Sequence, residues 1–320
     1  MCCLFFCLLF PAIKCGPPEP LLNGHVKFVK GSNNEYLSVI EYHCNKPFYI
    51  SMGKQNGNYT CGATQIWRKT GDNISCHYVC GHHTLKSQYG RIFGGKSAPP
   101  GSFPWQVYLL NNENRGGAVI IGEKWLMTAA HNLVYAGHNN VNQLDRFITL
   151  SISSVHVHSN YTTEYDNDIG LIKLNSKITF SENIRPICLP LKHDEMKTYR
   201  GWVSGYGVTD QLTTSNELKY VDISTVDQKT CRESFEKIRK TDTDLVHVTD
   251  NMFCAGDMMG GKDSCAGDSG SAFVVQEEGV HRAKGIVSWG VVQCGQPGMF
   301  GVYTQVSQYL DWINKIMSEK

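Results

Sequence analysis

The sequence predicts an all-β fold in two parts, and three observations carry that expectation. Cys15, Cys44, Cys61, Cys76 and Cys80 crowd the first quarter of the 320 residues, while Cys188, Cys231, Cys254, Cys265 and Cys294 are spread along the second half. A small, cysteine-dense module therefore precedes a large one. Downstream, short alternating runs such as "FPWQVYLL", "AVIIGEKWLMTAA", "DIGLIKL", "GWVSGYGV" and "AKGIVSWG" are punctuated by glycine and proline, the pattern of strands in a barrel or sandwich. Only the end reads as helix: in "VSQYLDWINKIM", Val306, Tyr309, Leu310, Ile313 and Met317 recur at a spacing that gives one apolar face.

The chain opens on "MCCLFFCLLFPAI", read as a signal peptide over residues 1–14, too short and too bounded to span a bilayer. Setting aside its Cys2, Cys3 and Cys7 leaves ten of the thirteen cysteines, an even set. With glycosylation sequons at Asn58, Asn73 and Asn160, that set predicts a secreted, extracellular protein. Residues 15–78 form the first module. Some sixty residues bury too little apolar surface to be secure alone, so two disulfides would staple it, and its aromatics, Trp67 among them, read as core. A polar linker over 79–91, "VCGHHTLKSQYGR", leads into the second part at 92–320.

Composition excludes several classes. The formal net charge is +1, without any lysine or arginine run, so neither a nucleic-acid footprint nor a polybasic membrane patch is present. His82 with His83, and His156 with His158, lack further ligands at metal-site spacing, so no metal and no cofactor is expected.

Acyl transfer at neutral pH needs a hydroxyl nucleophile, a base, a carboxylate to orient the base, and donors for the oxyanion. Three segments supply these in the order His, Asp, Ser: "TAAHNL" with His131, "YDNDIGLIKL" with Asp168, and "GDSGS" with Ser269. "SWG" at Ser288, Trp289 and Gly290 and "RIFGG" at Arg91 and Ile92 accompany them. On these motifs residues 92–320 resemble the trypsin-like serine proteases. With "CGPP" and the cysteine pattern of the first module, which resembles a sushi module, the chain is most similar to the initiating proteases of complement. The mannan-binding-lectin-associated enzymes come first in that likeness, with C1r and C1s close behind.

The resemblance implies a double six-stranded Greek-key β-barrel with a C-terminal helix, and roles for single residues. Ser269 would attack the scissile carbonyl, His131 take its proton and Asp168 orient the imidazole, with the N–H groups of Gly267 and Ser269 as oxyanion donors. Asp263 would form the floor of the specificity pocket, with Ser288, Trp289, Gly290 and Gly301 along its walls, giving cleavage after arginine and more weakly after lysine. Cleavage between Arg91 and Ile92 would free an ammonium to pair with Asp268. Disulfides would join Cys15 to Cys61, Cys44 to Cys76, Cys80 to Cys188 across the cut, Cys231 to Cys254 and Cys265 to Cys294. Partners would be protein substrates, complement components such as C4 and C2 or a partner zymogen, and serine protease inhibitors. Without the CUB modules of the full complement enzymes, no direct collagen-like recognition partner and no calcium requirement are expected.

Two departures stand out. Ser271 replaces the second glycine of the usual serine loop, where a side chain could disturb close packing or a positive φ. Haptoglobin, a catalytically dead binding protein on this scaffold, ends its loop similarly, and is the alternative reading. The interval from His131 to Asp168 is also short, which threatens closure of the first barrel.

Overall fold

The computed structural model describes residues 13–51, 57–70, 74–83, 96–111, 114–134, 141–143, 148–192, 198–209, 212–239, 246–291 and 293–319. Residues 1–12, which hold most of the expected signal peptide, together with Asn73, Arg91 and Ile92, lie outside them. The chain divides into two compact units, Met1–Val79 and Cys80–Lys320.

In the first unit, strands β1 (Gly24–Lys30), β2 (Val39–Cys44), β4 (Gly57–Cys61) and β5 (Trp67–Thr70) form one antiparallel sheet in the order β1-β2-β4-β5, and β3 (Tyr49–Ser51) pairs with β6 (Cys76–Tyr78). Alternation along β2 turns Ile40, Tyr42 and Cys44 inward, where Cys15, Cys61 and Tyr49 meet them. Cys15–Cys61 and Cys44–Cys76 close loops of 46 and 32 residues. Loop-closure entropy alone puts each at about 4 kcal/mol. Trp67 is only half-buried, not part of this core. Its ring lies edge-on to Phe28, and its indole N–H donates to the Gly16 carbonyl at 2.8 Å.

The second unit contains two antiparallel sheets. The first takes β8 (Gln106–Asn111), β9 (Asn114–Gly122), β10 (Trp125–Thr128), β11 (Val141–Gln143), β12 (Ile148–Leu150), β13 (Ile152–Val157) and β14 (Gly170–Leu174), in the order β12-β11-β8-β9-β10-β14-β13. Here there are seven strands where six were expected. The outermost two, β12 and β13, are consecutive in sequence with only Ser151 between them, so chain connectivity brings the sheet's two edges together. Asn175 pins that junction, its backbone N–H donating to the Ser151 carbonyl at 2.9 Å and its side-chain amide to Ser151 Oγ at 2.6 Å. The short interval is accommodated in this way.

The second sheet takes β7 (Lys96–Ser97), β15 (Arg200–Gly205), β16 (Lys219–Thr225), β17 (Met252–Gly256), β18 (Ala272–Glu277), β19 (Val280–Trp289) and β20 (Gly301–Gln305). A ladder between β15 and β16 closes six of them into a barrel, leaving β7 outside on β16. One apolar core runs through both sheets and includes Trp105, Val119, Met127 and Leu171 from the first with Val221, Phe253, Phe273 and Tyr303 from the second.

A 3-10 turn over Val306–Tyr309 and helix α3 (Leu310–Ser318) follow β20, burying Val306, Tyr309, Leu310 and Ile313. The expectation that only the C-terminus is helical needs correction. A short helix α1 (Ala130–Val134) carries His131, and a longer helix α2 (Gln228–Arg239) interrupts the second sheet. Asp227 caps α2: its carboxylate accepts the Thr230 N–H at 2.9 Å and the Thr230 hydroxyl at 2.6 Å. The buried side of α2 rests on Cys231 and Phe235, which join Val248, Met252, Phe300 and Val302 in a satellite core. So narrow an apolar stripe among charged residues hid the helix from a periodicity reading.

Because Phe235 is 1% exposed and is the largest α2 side chain in the satellite core, Phe235→Ala is expected to destabilise the protease unit by about 3–5 kcal/mol. A shifted denaturant midpoint in equilibrium unfolding measures it.

Candidate active site

The site is assembled around Asp168. Its carboxylate is fully buried and accepts three hydrogen bonds: from the His131 backbone N–H at 2.9 Å, from His131 Nδ1 at 2.7 Å, and from Ser288 Oγ at 2.5 Å. Its own backbone carbonyl accepts the Thr304 hydroxyl at 2.8 Å. A buried carboxylate is tolerated only when donors replace water, and here they come from α1 and β19. Engaging Nδ1 with Asp168 leaves Nε2 as the ring nitrogen free to face the cleft. Tyr165 sets its ring edge against the imidazole at 5.4 Å.

Ser269 sits on a tight turn whose shape is forced by glycine. Gly267 and Gly270 have φ of +93° and +88°, a region that favours glycine. A Cβ on Gly270 would lie 2.2 Å from both the Gly117 carbonyl and Thr128 Oγ1, so no side chain fits there. Around it the backbone is clamped: the Ser269 carbonyl accepts the Gly117 N–H at 2.7 Å and Asn132 Nδ2 at 2.8 Å, and Gly270 N–H donates to Val287 at 2.8 Å. Neither the Gly267 nor the Ser269 N–H donates to a backbone carbonyl among the described residues. Those two donors are thus available to a ligand.

His131, Tyr165, Asp263, Ser269, Ser288, Trp289 and Gly290 line one cleft of about 320 Å³. Larger grooves exist, of about 650 Å³ around His25 and Tyr42 and about 520 Å³ around Pro99 and Tyr206, but the buried Asp168–His131 pair opens onto neither. Inside the cleft, Asp263 is 3% exposed and accepts the N–H groups of Ser264 at 2.8 Å and Gly295 at 3.0 Å. Burial dominates those bonds and pushes its carboxyl up to about 7. A Cβ on Gly301 would crowd Asp263 Oδ1 at 3.0 Å and Ser264 Oγ at 2.8 Å, whereas one on Gly290 would make only ordinary contact, 3.8 Å from the Gly301 Cα.

Asp268, next to the serine, is fully buried and accepts the N–H groups of Gly207 at 2.8 Å and Cys265 at 3.0 Å. Loss of solvation raises its carboxyl to about 6. Gly205 and Gly207 make room for it, since a Cβ on either would fall within 2.1 to 2.6 Å of the carboxylate group.

Ser271 is accommodated. It is completely buried, has no positive φ, and its Oγ accepts a hydrogen bond from Gln106 Nε2 at 2.9 Å. Phe300 is buried against Gly256 in the satellite core. Among the described residues no three histidine, cysteine or acidic side chains gather as a metal site. His156 shares a hydrogen bond with Ser154 Oγ at 2.9 Å, and His158 packs edge-on against Tyr309 and Trp312. Of the sequons, Asn160 stands exposed in the turn after β13, and Asn58 is half-buried within β4. The disulfides of this unit join Cys80 to Cys188, Cys231 to Cys254 and Cys265 to Cys294. Beside the first, Gly81 donates its N–H to the Pro186 carbonyl at 2.9 Å, and its own carbonyl accepts the His281 N–H at 2.8 Å.

Sequence reading missed Tyr165, Asn132, Thr304, Gln106 and Gly117. None stands in a recognisable chemical pattern, and each matters only through what the fold brings beside it.

Among the described residues no helix is long and apolar enough to cross a membrane. Residues 15–76 match the Sushi repeat (SCR repeat) family and residues 92–313 match Trypsin. Curated relatives include the complement C1r-A subcomponent of Mus musculus, 33% identical over 346 residues that cover 96% of this chain and 47% of that protein. The complement C1s subcomponent of Rattus norvegicus is 35% identical over 337 residues, with the same two coverages. The chain therefore spans about half the length of the curated relatives it matches. With two-thirds of its length matched to one family and that family's type of nucleophile, base and carboxylate gathered in the matched region, the chain belongs to the trypsin family of serine proteases, in a C1r- and C1s-like arrangement with a sushi repeat ahead of the protease domain.

Proposed function

We propose that this chain is a secreted serine endopeptidase that cleaves after arginine, and less readily after lysine, once its own chain is cut between Arg91 and Ile92. The observation that carries the reading is the buried Asp168–His131 pair opening onto the same cleft as Ser269 and the Asp263 carboxyl. In this account His131 Nε2 takes the Ser269 hydroxyl proton as Oγ attacks the scissile carbonyl. The proton then passes to the leaving amine, and water repeats the sequence to free the acyl group. The N–H groups of Gly267 and Ser269 hold the oxyanion, each worth about 3 kcal/mol in the transition state.

Asp263 selects the substrate because a buried carboxylate is costly without a cation, and a guanidinium fork pairs with it better than an ammonium. Asp268 serves activation: among the described residues its buried carboxyl accepts hydrogen bonds from the backbone N–H groups of Gly207 and Cys265. A new α-ammonium at Ile92, largely charged at neutral pH, would favour its ionised form and stiffen the serine turn. Cys80–Cys188 keeps the upstream part attached after the cut. Likeness to complement subcomponents supports complement proteins as substrates, C4 and C2 or a partner zymogen, with the sushi module as an additional contact for a large substrate and serine protease inhibitors as regulators. The domain limits proposed are 15–78 for the sushi module and 92–320 for the protease.

Three outcomes test this. The protein cut after Arg91 should be labelled at Ser269 by a phosphonate bearing an arginine side chain; an unlabelled serine, read by mass spectrometry of the peptide, would instead assign the chain to the haptoglobin-like binding class. Arg91→Gln should hydrolyse arginine esters at no more than about a hundredth of the rate of the cut protein, and equal rates would remove the proposed switch. The third concerns pH. Because folding raises the Asp263 pKa from 3.8 to about 7, its neutral form favours the folded state at low pH, and that contribution is lost as pH rises through about 7. Asp263→Asn should therefore gain thermal stability over the wild type between pH 5 and pH 8 and not at pH 4. A benzylguanidinium ligand, which needs the carboxylate, should bind the wild type progressively less well below about pH 7.

A further inference from the structure

The residue that first cast doubt on the serine loop is part of how the loop is held. Ser269 and Gly270 are held through their own main-chain groups, by Gly117, Val287 and the Asn132 side-chain amide. Ser271 adds a side chain. Its Oγ accepts the Gln106 Nε2 bond at 2.9 Å, while Gln106 also donates to the Val107 carbonyl at 3.2 Å and accepts the Ser204 hydroxyl on Oε1 at 3.0 Å. Gln106 begins β8 in the first sheet and Ser204 lies on β15 in the second. The three residues are 5%, 1% and 0% exposed for Gln106, Ser204 and Ser271, so the cluster operates where hydrogen bonds are directional and costly to break.

Space for the hydroxyl is built in. A Cβ on Gly117 would stand 2.0 Å from Ser271 Oγ and 3.0 Å from Gln106 Nε2. The backbone of Ser271 meanwhile closes the catalytic turn, its N–H donating to the Asp268 carbonyl at 3.0 Å and its carbonyl accepting the Val287 N–H at 2.9 Å. Any shift of Ser271 thus moves the far end of the turn that presents Ser269.

We infer that Ser271, through Gln106 and Ser204, is a positioning residue that locks the nucleophile turn to both sheets and sets the rate of the chemical step. This rests on the proposed endopeptidase activity. Ser271 does not touch substrate. Its loss should let the turn relax by a fraction of an ångström, enough to slow attack while leaving the arginine pocket intact.

The test uses the full chain cut after Arg91, as wild type, Ser271→Ala, Ser271→Gly, Gln106→Met and the double variant Ser271→Ala with Gln106→Met. Each single variant should lower kcat on a small arginine ester about tenfold, with KM within about twofold. The double variant should be no worse than Gln106→Met alone, because the bond that Ser271→Ala breaks is one that Gln106→Met already removes. Ser102→Ala, which removes another buried hydroxyl that bonds only the Pro99 carbonyl in this structure, should lower the thermal midpoint and leave kcat alone. If Ser271→Ala folds poorly, Ser271→Gly, with the residue usual at this position, carries the same expectation. Wild-type kcat in Ser271→Gly, losses that multiply in the double variant, or a fall confined to thermal stability would overturn the inference with the activity untouched. A wild type that fails to label with the arginine phosphonate overturns the activity first and the inference with it.

Discussion

A carboxylate without any contact with water organises this protease domain. Asp168 belongs to the loop before β14, yet its acceptors are satisfied by His131 from α1, Ser288 from β19 and Thr304 from β20. Leaving such a charge unpaired in a protein interior costs several kcal/mol, so the two sheets are constrained to meet where these donors converge. The His131 imidazole is oriented as a by-product of satisfying that acceptor. Ser269 is held by the same economy, its carbonyl taking up one donor from β9 and one from α1 while the next N–H bonds to the second sheet.

The two other buried carboxylates work by contrast with Asp168. Asp263 and Asp268 each accept backbone N–H bonds, and desolvation still dominates both. Each is a site where negative charge is expensive until a cation arrives. A fold that places one such deficit under the cleft and another behind the serine turn has two places where binding a positive group yields free energy. Under the proposed function, recognition and activation draw on the same electrostatic principle from opposite sides of one loop.

How much could be read from the chain follows from what kind of signal each feature leaves. His131, Asp168 and Ser269 are legible because each sits in a short run of distinctive residues and the three occur in a fixed order. Cysteines are legible by count and spacing, although their pairing came from resemblance. Helix α2 is not, since Cys231 and Phe235 are few among charged neighbours and its start depends on a cap at Asp227. Trp67 reads as a core residue by type, yet its indole lies half outside, tethered to Gly16. Tyr165 carries no motif. Ser271 looked like a defect because the residues that receive it, Gln106 and Gly117, lie more than 150 positions upstream.

Gly117 carries the last consequence. The volume its missing side chain leaves is occupied by the Ser271 hydroxyl, so the two positions are not free to vary independently. A methyl group at 117 meets the hydroxyl at 2.0 Å and, behind it, the Ser271 backbone nitrogen at 2.9 Å, so giving up the hydroxyl relieves the worse collision and leaves the other. Bare backbone at 117 is therefore demanded twice over, by the side chain and by the main chain of the strand end it faces.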